Sequence, residues 1–386
     1  MDNVLFYTCA VVDNKIWFVS MDSYFMNIDI NTKRTAFIRP KDMGQAVIKL
    51  VTYRMLVNSD NLYWLEYDAQ RLVKYSVIEN TCKFYEMPPI DCKGDECFAG
   101  IALYNQKIYM FPRYTPCLII FDIINEKFIV RDDLYRILNK PPLQKEKEFL
   151  FRSHQLDDTI FFLRRENIDA CINTVIKYQL GNGNYETFAL SKEIENPVNL
   201  YYGENYLYIL CADTSLYRID AYDNITEKIY VSENADESFL SIALTKRSLY
   251  LLPSKSENIK IIDLNTLHAK NFDKYPADFR YEVKNYSKYH GYYENERYIF
   301  YGNRSANYIL RIDKERDLLE WLKPQLPTQE EELDYYLKTQ NDIVCDESRL
   351  GMQMIFESVR QRREQEVNGI NALVGTDIWK KITKDV

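Results

Sequence analysis

Glycine is scarce, with 11 in 386 residues, which excludes Gly-rich linkers and collagen-like repeats. Histidine is scarcer: His154, His268 and His290 are the full set, so a multi-histidine metal centre or a histidine-based relay has little to draw on. No run reaches the ~18 apolar residues of a membrane-spanning helix. The opening stretch Met1 to Tyr7 lacks a basic segment followed by an apolar core, so neither membrane insertion nor a secretory leader is expected. No phosphate loop, nucleophile elbow or HExxH pattern occurs, and no cofactor is expected. Basic charge is in deficit too. The formal net charge of −8 argues against nucleic acid or an anionic membrane as a bulk electrostatic partner.

The eight cysteines are Cys9, Cys82, Cys92, Cys97, Cys117, Cys171, Cys211 and Cys345. Several lie inside apolar stretches, as reduced thiols acting as small hydrophobes do. Without export a disulfide framework is not expected, and the expected location is cytoplasmic. Cys92 and Cys97 lie close together, but zinc commonly takes four ligands from two such pairs. No second pair is present, so no metal site is expected.

What the chain has in abundance is tyrosine, 32 residues within an aromatic share of 14%, and aromatics favour strands. An aliphatic–aromatic–apolar triplet recurs as Ile16-Trp17-Phe18, Leu62-Tyr63-Trp64, Ile108-Tyr109-Met110, Ile160-Phe161-Phe162, Leu207-Tyr208-Ile209, Leu249-Tyr250-Leu251 and Ile299-Phe300-Tyr301. Its central aromatics are separated by 46, 46, 52, 47, 42 and 50 residues. A second apolar run follows each copy and in five ends on aspartate: Asp29, Asp122, Asp220, Asp263 and Asp313. A polar turn and a short aromatic strand close each unit. An apolar run also precedes each copy, joined to it by turn residues such as Asp13-Asn14, Asp60-Asn61, Asn105-Gln106, Asp157-Asp158 and Glu294-Asn295.

Each unit thus reads as four antiparallel strands, A to D. One such meander cannot cover both faces of its sheet, whereas sheets stacked around an axis cover one another. The expected fold is all-β: a seven-bladed β-propeller over residues 1–323. A helical tail is expected over 324–386, opened by the capping box Thr328–Glu331. Further tail helices are expected near Ser348 to Asn368 and after Thr376. The repeated aspartates are expected to bond the backbone that follows them.

The segments Lys107-Ile108-Tyr109-Met110-Phe111, Ile119-Ile120-Phe121-Asp122 and Asn125-Glu126-Lys127-Phe128 resemble strands B, C and D of kelch-type propeller repeats, and the likeness covers about residues 4 to 322. Leu62-Tyr63-Trp64 is also similar to the tyrosine–tryptophan propellers of receptor ectodomains. The chain departs from the kelch pattern in lacking the double glycine after strand B, with only Gly302 in a similar place. The strand D tryptophan stands only at Trp321. The resemblance implies architecture and little about function, since one fold hosts many functions.

In such a fold the B–C and D–A connections share one face, and here they are the long ones: Lys41 to Ala46, Met87 to Cys97, Asp132 to Glu148, Arg164 to Thr174 and Lys274 to Ser287. Long loops on a rigid frame are where binding concentrates. Candidate binding residues there are Tyr67, Arg113, Tyr114, Arg164, Arg165, Lys255 and Arg304, a Tyr/Arg mixture suited to protein or glycan recognition. Arg152 and His154, two apart on one strand, are expected to line the channel with His290. The leading expectation is a non-enzymatic scaffold for a protein partner, bound through the long-loop face. The alternative is a carbohydrate-binding or carbohydrate-active propeller. A pair of carboxylates about 5–9.5 Å apart at the channel mouth would mark a glycosidase.

Overall fold

The computed structural model describes residues 4–21, 23–42, 48, 54–66, 70–89, 97–113, 117–131, 150–165, 173–220, 224–232, 237–254, 258–281, 289–332, 334 and 335, with the side chains of Phe151, Arg165, Asn173, His290 and Asn303 left aside. Its strands form seven four-stranded antiparallel sheets, each built from four strands consecutive in sequence. These are the seven blades of a propeller. They begin at Ala10, Leu56, Phe98, Phe151, Pro197, Phe239 and Tyr289. The chain divides into two compact units, Met1–Glu331 and Glu332–Val386. Nearly all of the second, including the two later helices expected in the tail, lies outside the described residues.

The strand B triplets hold the ring together. Side chains alternate across a strand, and in this register the middle aromatic faces the following blade while its neighbours face the preceding one. Tyr63 of blade 2 packs with Ile101, Ile108 and Ile119 of blade 3. Tyr109 of blade 3 packs with Ile160, Phe162 and Ile176 of blade 4. Trp17, Phe161, Tyr208 and Tyr250 repeat the relation against blades 2, 5, 6 and 7. All seven middle aromatics are 6% exposed or less, each worth roughly 1.5–3 kcal/mol on burial. Two phenols also bond across the gap: Tyr109 Oη donates to the Leu180 carbonyl at 2.9 Å, and Tyr250 Oη to that of Asp317 at 3.2 Å.

The short turns follow from their residues. Asp13-Asn14, Asn105-Gln106 and Glu204-Asn205 carry positive φ at both positions, as two-residue hairpins of this hand require. In blade 2 the positive φ falls one residue earlier than Asp60-Asn61, at Ser59 (53°). In blade 7 strand A runs through Glu294, so the turn starts after the expected Glu294. After strand C, Asp29, Asp122, Asp263 and Asp313 each accept two backbone N–H bonds from the residues two and three further on, at 2.8–3.0 Å. These bonds hold the carboxyls of Asp29, Asp122 and Asp263 below the ordinary range.

One regularity has no signature in the repeat. The first residues of strand A bulge in blades 3 to 7, leaving Ala99, Arg152, Val198, Leu240 and Gly291 outside the ladder. A bulge bends and twists its strand. At Gly291, with φ of 54°, a Cβ would lie 2.6 Å from the Tyr7 carbonyl, so only glycine fits against the N-terminal segment.

Blade 1 is built wholly from its own stretch of chain, Ala10 to Phe37. The segment after blade 7 then bridges in parallel to blade 1's outermost strand, Arg34 opposite Gln325. Gln325 N–H donates to Lys33 O at 2.8 Å and Thr35 N–H to Gln325 O at 3.0 Å. The capping box forms just beyond. Thr328 N–H donates to Glu331 Oε2 at 2.8 Å and Glu331 N–H to Thr328 Oγ1 at 3.2 Å, while Arg34 pairs with Glu331 at 2.7 Å.

Cys9, Cys82, Cys117 and Cys211 are buried free thiols, and burial pushes those of Cys82 and Cys211 up to about 12. Cys97 departs from the expectation of reduced thiols throughout, because it is disulfide-bonded.

Candidate functional site: a polar clasp across the channel

The innermost strands bring together a polar cluster assembled from three blades. His154 lies in strand A of blade 4, 2% exposed, its ring 3.9 Å from that of Tyr201 in blade 5. Its Nδ1 is 2.6 Å from Tyr292 Oη of blade 7. The Tyr202 backbone supplies a second bond. A neutral imidazole has one donor and one acceptor, so a ring N–H directed at Tyr202 leaves Nδ1 to accept from Tyr292. Tyr201 Oη donates to both carboxylate oxygens of Glu294, at 2.8 and 2.9 Å, and Lys314 Nζ donates to Oε1 at 3.0 Å. The Arg54 guanidinium of the blade 2 segment sits 5.5 Å from the Tyr292 ring centroid.

Burial sets the electrostatics. It pulls His154 down to about 4, against the opposing influence of the Glu294 charge. Burial first, then the neighbouring carboxylate, raises Tyr201 well above its ordinary value, and burial does the same for Tyr292. The cluster therefore holds a neutral imidazole and two protonated phenols, with Glu294 hydrogen-bonded by Tyr201 and Lys314. Glu294 ends its strand next to the A–B turn, and Lys314 lies in a C–D turn. The clasp thus links blades 4, 5 and 7 on the side of the ring that carries the short turns. Its heteroatoms hold one another, so the arrangement suits fastening blades more than transferring protons.

The opposite face carries the long connections. Under the B–C loop of blade 2, Arg71 makes a bidentate pair with Glu66, at 2.6 and 2.7 Å, and Glu66 is fully buried. Between blades 6 and 7 the D–A connection folds onto Trp321, whose ring lies 5.0 Å from Phe279, 5.3 Å from Tyr275 and 6.3 Å from Tyr308. Trp321 Nε1 donates to Lys274 O at 3.1 Å. The same connection bonds the B–C loop of blade 7 through Arg280 and Asn307. Beside it opens a cavity of about 450 Å³, lined by Val4, Asp278, Arg280, Asn307, Lys323, Pro324 and Leu326.

Among the residues expected to bind, Arg113 is half-buried at the start of a B–C loop, its N–H bonded to Cys97 O at 2.9 Å. Arg304 is half-buried over the Tyr7 ring at 4.8 Å, fastening the N-terminal segment to blade 7. Arg164 is 3% exposed. Strand B of blade 4 runs on to Arg165, which keeps Arg164 within the ladder and turns it inward. Arg165 and His290 lie in strands, with their side chains outside the description. Tyr67, Tyr114 and Lys255 lie outside the described residues. Arg152 and His154 do not share a face by simple alternation, because Arg152 is the bulged residue, with φ of 44°. His154 is buried against Tyr201 and Tyr292. Tyr201, Tyr292, Glu294, Arg54 and Lys314 were not anticipated. Among the described residues, no group of three His, Cys, Asp or Glu could hold a metal ion, and no helix is long and apolar enough to cross a membrane.

Fold and clasp together define a seven-bladed propeller whose blades 4, 5 and 7 are joined by a buried polar cluster. No family model and no curated protein matches the sequence. Solved structures match in shape. YCF48 from Cyanidioschyzon merolae superposes with a TM-score of 0.57 at 8% identity, over 79% of this chain and 95% of that one. PorZ, a surface component of the type IX secretion system of Porphyromonas gingivalis, gives 0.54 at 11% identity, over 85% of this chain and 39% of that one. The extracellular domain of BT4673 from B. thetaiotaomicron gives 0.53 at 12%, over 85% and 42%. At these identities the likeness establishes the fold alone.

Proposed function

We propose that this chain is a non-catalytic recognition scaffold whose long-loop face binds a protein partner. The observation that carries the reading is the contrast between the two ends of the ring. At one end, His154, Tyr201, Tyr292 and Glu294 are spent on one another. At the other, long connections are braced from below by the Glu66–Arg71 pair and the Trp321 aromatic cluster. A rigid frame presenting braced loops is what recognition requires. PorZ and BT4673 show that surface and extracellular proteins use this fold, which is compatible with a recognition role.

The kelch-type resemblance belongs to the same proposal, as does a cytoplasmic location. Four buried free thiols suit that location, whereas the bonded Cys97 suits an oxidising one. Mass-spectrometric mapping of Cys97 in protein from its native cells decides the matter; a quantitative disulfide there overturns the cytoplasmic assignment. The cavity beside Arg280 favours a second reading, a glycan ligand, because it sets amide, guanidinium and carboxylate groups beside aromatic rings. Affinity purification from native cells separates the two. A stoichiometric protein released by Arg113→Glu with Arg280→Glu supports the scaffold. A bound saccharide released by Asn307→Ala supports the glycan reading, and neither outcome retires both.

A further inference from the structure

The C–D turns share a second feature. The fourth residue after the end of strand C has φ between 50° and 75° in every blade: Lys33, Asn80, Glu126, Gly183, Asn224, Leu267 and Asp317. In blade 2, Asn80 Nδ2 donates to Arg39 O at 3.1 Å, just past blade 1. In blade 3, Glu126 accepts a bond from Tyr85 of blade 2 at 2.6 Å. In blade 7, Asp317 accepts one from Ser248 of blade 6 at 2.7 Å. In blade 6, Leu267 packs into the apolar cluster between blades 5 and 6. Blade 4 has no side chain at this place, and Tyr178 and Arg131 of blade 3 approach it instead. In blade 1, Lys33 bonds the Ile30 carbonyl. Blade 5 departs from all of these. Asn224 is exposed, and among the described residues its side chain makes no hydrogen bond. Next to it, between blades 4 and 5, lies a cavity of about 230 Å³ walled by Phe161, Tyr202, Leu207 and Ile219.

We propose that this cavity receives a leucine side chain from a neutral segment of another protein. The chain itself supplies the precedent one blade further on. Leu244, Leu249 and Ile262 are the register equivalents of Tyr202, Leu207 and Ile219, and Leu267 packs against them. Leu267 and Asn224 share their backbone shape, with φ of 56° and 55°. Each also bonds its N–H back to the last carbonyl of strand C, that of Asp263 or Asp220. Blade 6 fills the gap with its own leucine, whereas blade 5 presents an amide and leaves the gap open. Charge complementarity makes the occupant neutral. Lys177 and Glu186 at the cavity pair with each other at 3.3 Å, and Asp220 has a partner too, so no charge there calls for a counter-ion. The Asn224 amide has donors and an acceptor for the peptide groups that flank the leucine. The volume falls below the ~300 Å³ at which pockets for drug-sized ligands begin, which favours a single side chain over a cofactor. A second copy of this chain is disfavoured as occupant, because each carries a net charge of −8 and like-charged molecules repel. The cavity adjoins a C–D turn and is separate from the long-loop face.

The test uses the full-length chain and an eight-residue peptide of serine and alanine around one central leucine, followed by amide NMR. Saturable shifts are expected at Phe161, Tyr202, Ile219 and Asn224. Replacing the peptide's leucine by alanine is expected to weaken binding by at least about tenfold. Asn224→Leu gives blade 5 the residue of blade 6. It is expected to raise the thermal midpoint and to weaken peptide binding by at least about tenfold. Arg280→Ala, on the long-loop face, is expected to leave binding unchanged. The proposal is overturned if the peptide fails to bind, if its alanine version binds as well, or if Asn224→Leu binds it like wild type. The alanine comparison uses the unmodified protein and so decides the matter even where the variant fails to fold. The proposal is also overturned if N-acetyl-leucinamide binds as tightly as the peptide, which makes the occupant a small molecule. Dimers in sedimentation that Asn224→Leu dissolves overturn it too, by making the occupant a second copy.

Discussion

His154 shows how strongly a buried position governs a single side chain. Its imidazole titrates near 4 in the folded protein against about 6.5 in an unfolded chain. Above pH ~6.5 neither state binds the proton, and the full stability is present. As pH falls from there toward 4, the unfolded state takes up the proton first, and about 3 kcal/mol is withdrawn. Urea titrations at pH 7 and pH 4.5 are expected to show this loss in wild type and a smaller one in His154→Gln. Equal slopes would mean that the clasp is not formed. Tyr109 is a cleaner probe of packing. Tyr109→Phe removes only the bond to Leu180 and should cost about 1 kcal/mol. Tyr109→Ala also opens the gap between blades 3 and 4 and should cost roughly 3–5 kcal/mol. Chemical denaturation separates the two.

At the scale of the element, the turns after strand C answer to one acceptor. Asp263→Ala deletes bonds from Asn265 and Thr266, whereas Asp263→Asn keeps an acceptor in place. The expected order of thermal midpoints is wild type, then Asn, then Ala. Because the folded carboxyls of Asp29, Asp122 and Asp263 titrate low, their contribution is intact above the unfolded value near 3.9. It is lost only as pH falls through the lower folded value, which an acid titration of the triple Asn variant would show as a flattened decline. These turns, the hairpins and the strand B aromatics were legible in the sequence because each recurs around the ring. The clasp was not. Tyr201 and Glu294 are 93 residues apart, and only ring geometry brings them together. The bulge at Arg152 breaks the alternation from which its direction was read. Arg164 was read as a loop residue because nothing local marks where that strand stops.

At the scale of the molecule, closure depends on a short parallel contact. Gln325→Pro removes the N–H that bonds Lys33 O and is expected to destabilise the ring by about 1–2 kcal/mol. Amide exchange should quicken at Thr35. Gln325→Ala leaves the ladder intact and serves as the control; equal effects from both would mean that the backbone contact holds nothing. Blades 2 to 6 are each flanked by sequence neighbours, so their interfaces form between segments close along the chain. The interface of blades 7 and 1 joins the two most distant stretches of the propeller.

Synthesis on the ribosome delivers blade 1 first and residue 325 nearly three hundred residues later. Until then the outer strand of blade 1 waits with its parallel partner still unmade, and the first blade emerges with no seventh blade beside it. A circular permutant beginning at another inter-blade connection would place the chain ends at a boundary where, among the described residues, no parallel bridge like that of Arg34 and Gln325 is present.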